Sequence, residues 1–296
     1  MEWVVSSSTD FSGLWVPLVT PFRRGRVDLA AADGLVRHLR AAGVTGFVVC
    51  GSTGEAAALD EAEQLALLET VLAASDGRPV VMGLSGYHLP DTRRWIATLC
   101  QRPIAGLLVP PPIYIRPSQA GVLRWFHSLA DAARVPLIVY DIPYRCGVTL
   151  HRDTLLQLAR HPGIRAIKDC ASDPAKTLAV LAQGSLQVLA GEDLQIFSAL
   201  AQGAHGAIAA SAHLEARRFV DLVDRLRAGD LPAARTLWHP LVPWIELAFS
   251  EPNPCVIKAA LAQQGLLHNE LREPMTRASP AALSRLRALH AAGATA

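Results

Sequence analysis

The sequence predicts an α/β chain, an eight-stranded (β/α)8 TIM barrel with a C-terminal helical appendage, and three observations carry that expectation. Short β-branched runs alternate with longer Ala-, Leu- and Arg-rich segments from near residue 14 to near residue 228, as a parallel sheet with crossover helices requires. Eight such runs can be counted, the number that closes a barrel. After residue 229 the strand signals stop and only helical patterns follow. An open doubly wound sheet is the competing architecture, because a strand count made this way carries an error of about one or two.

The strand candidates are Leu14 to Thr20, Gly46 to Cys50, Pro79 to Leu84, Gly106 to Val109, Pro136 to Tyr140, Arg165 to Lys168, Gln187 to Ala190 and Gly206 to Ala209. Between them, Glu61 to Ala74 places Leu65, Leu68 and Leu72 at three- and four-residue steps, the spacing of a helix that buries one face against a sheet. Asp60 with Glu63 three residues on forms a capping-box pattern, and Ser118 and Asp153 are expected to cap the fourth and fifth helices. Leu231 to Phe249, Pro254 to Gln264 and Pro280 to Ala292 read as three further helices. The expected division is a catalytic barrel over 1–229 and a helical domain over 230–296.

Composition narrows the function. Of 296 residues 51% are hydrophobic and the net charge is +2, which points away from disorder and from a nucleic-acid footprint and leaves small-molecule chemistry. Cys50, Cys100, Cys146, Cys170 and Cys255 are odd in number and never spaced as CxxC, so they read as reduced thiols and not as a disulfide or zinc framework. Neither an export signal nor a membrane-length apolar run is visible, and a cytoplasmic location is expected. Phosphate-loop, HExxH and GxSxG patterns are missing, and the ten histidines never pair at ligand spacing; neither a metal nor an organic cofactor is expected.

Only three of the 28 basic side chains are lysines: Lys168, Lys176 and Lys258. Lys168 closes the apolar run from Ile164 to Ile167. A primary amine can shed its proton and attack a carbonyl, whereas a guanidinium cannot, so a lone lysine at a strand end in an arginine-rich chain is a candidate Schiff-base nucleophile. Taken alone, it reads more readily as a snorkelling rim residue. Two further signals fall at strand ends, where barrels collect their working groups. Tyr140 ends the fifth strand, and Gly51-Ser52-Thr53-Gly54-Glu55 follows the second, where glycines free the backbone and hydroxyls with exposed amides suit a small anion. Together they describe an imine-forming site: an amine, a phenol to move protons and a hydroxyl-amide cradle for a carboxylate.

At this point the chain resembles the dihydrodipicolinate synthase and N-acetylneuraminate lyase family of lysine-dependent pyruvate aldolases, over about Gly13 to Thr276. The resemblance rests on Val19-Thr20-Pro21-Phe22, Gly51 to Glu55, Tyr114 to Gly121, Tyr140-Asp141-Ile142-Pro143, Ile167-Lys168-Asp169, Gly191-Glu192-Asp193 and Glu251-Pro252-Asn253-Pro254. It implies that Lys168 forms the imine with pyruvate, that Tyr140 and Ser52 relay protons, and that Ser52 and Thr53 hold the pyruvate carboxylate. Gly191 and Ile208 would line the pocket. Tyr114 would complete the relay in a neighbouring subunit's site, within a homotetramer built as a pair of dimers.

Arg145 falls where the synthases carry an arginine for the second substrate's carboxylate. The resemblance therefore implies a 4-hydroxy-tetrahydrodipicolinate synthase, condensing pyruvate with L-aspartate 4-semialdehyde. The alternative is another pyruvate aldolase, lyase or dehydratase acting on a sugar-derived 2-oxo acid. Three positions depart from the synthase pattern: Ser52 for threonine, Asp141 for asparagine, and Tyr144 at a usually small position. Asp141 and Tyr144 are expected to reshape the pocket near Arg145. Ala56, Glu61, Gln64, Tyr87 and Ile113 match poorly to the positions of lysine-regulated members, so weak lysine inhibition is expected.

Overall fold

The computed structural model describes residues 9–293. Eight parallel strands close into a barrel: β1 Gly13–Pro17, β2 Gly46–Val49, β3 Val80–Gly83, β4 Gly106–Val109, β5 Leu137–Asp141, β6 Ile164–Asp169, β7 Gln187–Ala190 and β8 Gly206–Ile208. Each pairs with its neighbour in sequence, and β1 pairs with β8 to seal the ring. The closed barrel thus prevails over the open sheet.

Around it lie α1 Leu29–Ala41, α2 Glu61–Ala74, α3 Leu89–Leu99, α4 Gln119–Ala132, α5 Arg152–Leu158, α6 Pro174–Gln183, α7 Ile196–Ala201 and α8 Ala216–Arg227. Three more helices follow: α9 Leu231–Ala248, α10 Cys255–Gln263 and α11 Pro280–Gly293. Helix α2 begins with the anticipated capping box, Asp60 accepting from the Glu63 N–H and Glu63 reaching back to the Asp60 N–H. Ser118 likewise caps α4. Asp153 does not cap α5: the cap position is His151, and Asp153 lies in the first turn, where a carboxylate favours the positive end of the helix dipole. The start of α5 is tied instead from α4, where Gln119 Oε1 accepts from the His151 N–H at 3.1 Å and from the Thr154 hydroxyl at 2.6 Å.

Period two along the strands splits the core in two. Val48, Val81, Leu108, Ile138, Ala166, Leu189 and Ile208 fill the barrel with Phe11 and Trp15. Their outward neighbours, such as Val49, Met82, Leu107 and Val139, pack under the helices. The Trp15 indole, fully buried, donates to the Phe11 carbonyl at 2.7 Å. Gly46 leaves the space the ring needs, since a Cβ there would lie 2.5 Å from it. The same alternation turns Tyr140 and Lys168 inward.

Candidate active site

Strands β5 and β6 place Tyr140 and Lys168 as direct register partners. Lys168 is 5% exposed, and its terminal nitrogen donates to the Tyr140 hydroxyl at 3.3 Å while lying 4.4 Å from the ring centroid. Burial pushes the Tyr140 phenol well above its ordinary titration point, against the opposing influence of its hydrogen bond with Ser52 and of the Arg145 charge. The phenol therefore keeps its proton and can accept one proton as it passes another on.

A cavity of about 380 Å³ opens above this pair. Ser52, Thr53, Tyr140, Arg145, Lys168, Gly191 and Ile208, all expected at the site from sequence, line it. Tyr114 does not. It is 88% exposed, on the loop after β4, with a φ of 75°.

The cradle is a one-turn 3-10 segment, Ser52–Gly54, leaving β2. Thr20 donates to the Gly54 carbonyl at 2.6 Å, and the left-handed Glu55, φ 52°, turns the chain back. The Glu55 carboxylate is buried against Lys258 at 2.5 Å and also accepts from the Arg272 N–H. Asn253 reaches the cradle from the loop between α9 and α10, its amide donating to the Thr53 hydroxyl at 2.9 Å. The C-terminal helices thus hold the cradle at two points.

Gly191 at the end of β7 allows Lys168 its path. A Cβ there would meet Lys168 Cγ at 2.6 Å and Cys170 Sγ at 2.5 Å. The adjacent Asp193, buried in the cavity wall, accepts from the Ser211 N–H at 2.7 Å and from its hydroxyl at 2.6 Å. Burial pushes the Asp193 carboxyl up to about 6. Glu192 is raised by burial too, with Lys168 and Arg145 pulling it the other way. Among the described residues, no group of three or more His, Cys, Asp or Glu side chains is arranged to hold a metal ion.

One expectation is overturned. Asp141 does not enter the pocket, because the strand alternation that turns Tyr140 inward turns Asp141 outward. Its carboxylate is fully buried behind the barrel wall and pairs with Lys176 at 2.6 Å. Tyr144 does border the cavity, its ring 5.9 Å from the Arg145 guanidinium.

A family model described as the Dihydrodipicolinate synthetase family matches residues 10–292. The chain belongs to that family. A curated relative from Clostridium acetobutylicum, named 4-hydroxy-tetrahydrodipicolinate synthase 2, is 33% identical over 89% of this chain and 93% of its own length. Among solved structures, the dihydrodipicolinate synthase of Thermotoga maritima superposes with a TM-score of 0.93 at 28% identity, covering 96% of this chain and 99% of that one. The chloride-inhibited dihydrodipicolinate synthase of Acinetobacter baumannii, solved in complex with pyruvate, gives 0.91 at 28% identity over 94% and 97%.

Within this family member, the site also holds Asn253, Glu192 and Asp193, which the sequence reading passed over as site residues. The signal was present for all three, since they stand in the two acidic landmark segments, Gly191-Glu192-Asp193 and Glu251 to Pro254. Nothing in the spacing shows that Asn253 reaches back to a threonine 200 residues earlier.

Proposed function

We propose that the chain is a lysine-dependent 4-hydroxy-tetrahydrodipicolinate synthase, condensing pyruvate with L-aspartate 4-semialdehyde. The observation that carries this reading is the Lys168 amine held 3.3 Å from the Tyr140 hydroxyl in a cavity shared with the Ser52–Thr53 cradle. Relatives bearing the synthase name, and a structural neighbour solved with pyruvate, support the substrate assignment.

Pyruvate lies with its carboxylate on Ser52 and Thr53. The Lys168 nitrogen attacks the ketone carbon, and Tyr140, hydrogen-bonded to both Lys168 and Ser52, returns a proton to the leaving hydroxyl, which departs as water. Loss of a methyl proton converts the imine to an enamine. Its carbon attacks the aldehyde while Arg145 grips the second carboxylate. The semialdehyde's amine then displaces Lys168 as the ring closes. Gly191 and Ile208 wall the pyruvate side.

Tyr114 serves the site of a second copy, and the working assembly is a homotetramer, a pair of dimers. This is supported by the exposure of Tyr114 and Ile115, large apolar side chains on a loop rim. The barrel, described from residue 9 to 229, is the catalytic domain, and the helices between 230 and 293 form a second domain that buttresses the cradle; residues 1–8 and 294–296 of the expected division lie outside the described residues. A cytoplasmic location is supported by five free cysteines, by the absence of a membrane-length apolar helix among the described residues and by the biosynthetic reaction itself.

Borohydride added to protein and pyruvate tests the reading. Mass spectrometry should find a three-carbon adduct on Lys168, Lys168→Ala should abolish adduct and turnover, and a coupled assay should prefer aspartate semialdehyde to hydroxylated 2-oxo acids. An unmodified Lys168 would reject the mechanism; preference for a sugar-derived 2-oxo acid would reject the substrate.

A further inference from the structure

Asp141 and Lys176 form a buried ion pair that the reaction does not use. Their side chains are 0% and 4% exposed. Lys176 sits in the first turn of α6, where Asp173 accepts from its backbone N–H at 3.1 Å, so its backbone is fixed before its side chain turns inward. The ammonium then makes two hydrogen bonds, to Asp141 Oδ2 at 2.6 Å and to the Leu150 carbonyl at 3.2 Å. These acceptors stand at the two ends of a single loop, residues 142–149, that leaves β5 and returns to α5.

That loop carries Tyr144 and Arg145 to the rim of the cavity. Its other backbone bonds are mostly internal: the Arg145 and Cys146 N–H groups donate to the Ile142 carbonyl and the Gly147 N–H to the Pro143 carbonyl. They shape the turn without fixing its position. Apart from the Lys176 bridge, the side-chain tie from the body of the barrel is Gln119, whose amide donates to the Thr149 carbonyl at 2.9 Å. A compact ammonium on a four-carbon stem can join two acceptors in a closed space, where a planar guanidinium is larger and prefers a fork. An interior ion pair is costly to bury, and removing one partner leaves an uncompensated charge behind. Asp141 Oδ1 has no hydrogen-bond partner, and the Leu150 backbone bears on the same carboxylate as Lys176.

We propose that Asp141 and Lys176 are a positioning pair, in which one buried ammonium joins both ends of the 142–149 loop and so holds Arg145 over the cavity. The consequence for catalysis rests on the reading of Arg145 as the second substrate's carboxylate partner. The pair acts on the aldehyde step and leaves imine formation alone.

The test uses the full chain with Lys176→Met, and the double variant Asp141→Asn/Lys176→Met, which also removes the unpaired buried carboxylate and so folds if the single variant does not. Hydrogen exchange of peptides covering 142–150 should speed up about tenfold or more, as for a segment whose local opening has become easier. Borohydride trapping of pyruvate should stay within about twofold of wild type, while KM for aspartate semialdehyde rises about tenfold. Adding Arg145→Ala should then bring little further loss, because both changes remove one interaction. Unchanged loop exchange in a folded variant overturns the pin. Faster exchange with an unchanged aldehyde KM, where Arg145→Ala alone raises it, overturns the positioning role. If Arg145→Ala itself leaves that KM unchanged, the reading of Arg145 fails, and the pin is judged on exchange alone.

Discussion

Gly191→Ala is the most direct probe of how Lys168 is held. The added Cβ would lie 2.6 Å from Lys168 Cγ, 2.8 Å from Lys168 Cε and 2.5 Å from Cys170 Sγ. Ordinary contact begins near ~3.4 Å, so the three atoms must retreat by roughly 0.6 to 0.9 Å in a core packed like an organic crystal. Cγ is the second carbon of the side chain and cannot retreat without a change at χ1, which carries the terminal nitrogen with it. The backbone cannot give way easily either, because the Gly191 N–H donates to the Asp169 carbonyl at 2.9 Å in line with the β6–β7 ladder.

The 3.3 Å contact with Tyr140 should therefore be lost. A displacement of about 1 Å at a reacting group costs on the order of 100-fold in rate, and overpacking costs about 1–3 kcal/mol in stability. Quenched-flow borohydride trapping with pyruvate measures the first and denaturant unfolding the second. Cys170→Ala added to Gly191→Ala removes one clash only, and should recover some stability but not the trapping rate. A Gly191→Ala enzyme that traps pyruvate within about threefold of wild type would refute the reasoning, as would rescue of the rate by Cys170→Ala.

Three further outcomes are expected. Lys258→Met leaves Glu55 buried without its 2.5 Å partner, and should cost about 3–5 kcal/mol in denaturant unfolding, with a raised KM for pyruvate because the cradle loses its anchor; a loss under 1 kcal/mol would contradict this. Burial pushes Asp193 up to about 6 from an ordinary value of 3.8. In that window the folded state holds a proton the unfolded state has released, so its contribution is fully present below pH 4 and is lost as pH rises through 6, by a few kcal/mol. Asp193→Asn should flatten this decline, and parallel wild-type and variant profiles of unfolding free energy between pH 4 and 6 would count against it. Finally, lysine should inhibit weakly, given Ala56, Glu61, Gln64, Tyr87 and Ile113; submillimolar inhibition in the coupled assay would show otherwise.

Several of these groups announce themselves in the amino-acid string. Lysine is so scarce that its three positions mark three interior jobs: Lys168 beside Tyr140, Lys176 under Asp141 and Lys258 under Glu55, none more than 5% exposed. Period two, applied from Tyr140 to the next residue of the strand, turns Asp141 away from the cavity. That orientation was legible in the string, whereas the departure from the synthase pattern at Asp141 points to a change of residue and says nothing of which face it takes. Asp153 misled for a simpler reason. A cap is defined by where helical backbone begins, and Gln119 of α4 fixes that beginning from outside the local segment.

Local pattern by itself determined the alternation of strands and helices, the capping of α2 and α4 and the chemical types gathered at strand ends, because each depends on residues a few positions apart. Only the tertiary structure decided which of them meet. Barrel closure and the irregular β5–β6 register near Leu137 and Ile138 set Tyr140 opposite Lys168, while chain return brings Asn253 to Thr53 and Lys258 to Glu55. Such contacts depend on how the strands are staggered and how the last helices dock over the ring, which is a property of the packed whole and leaves no periodic trace in the string.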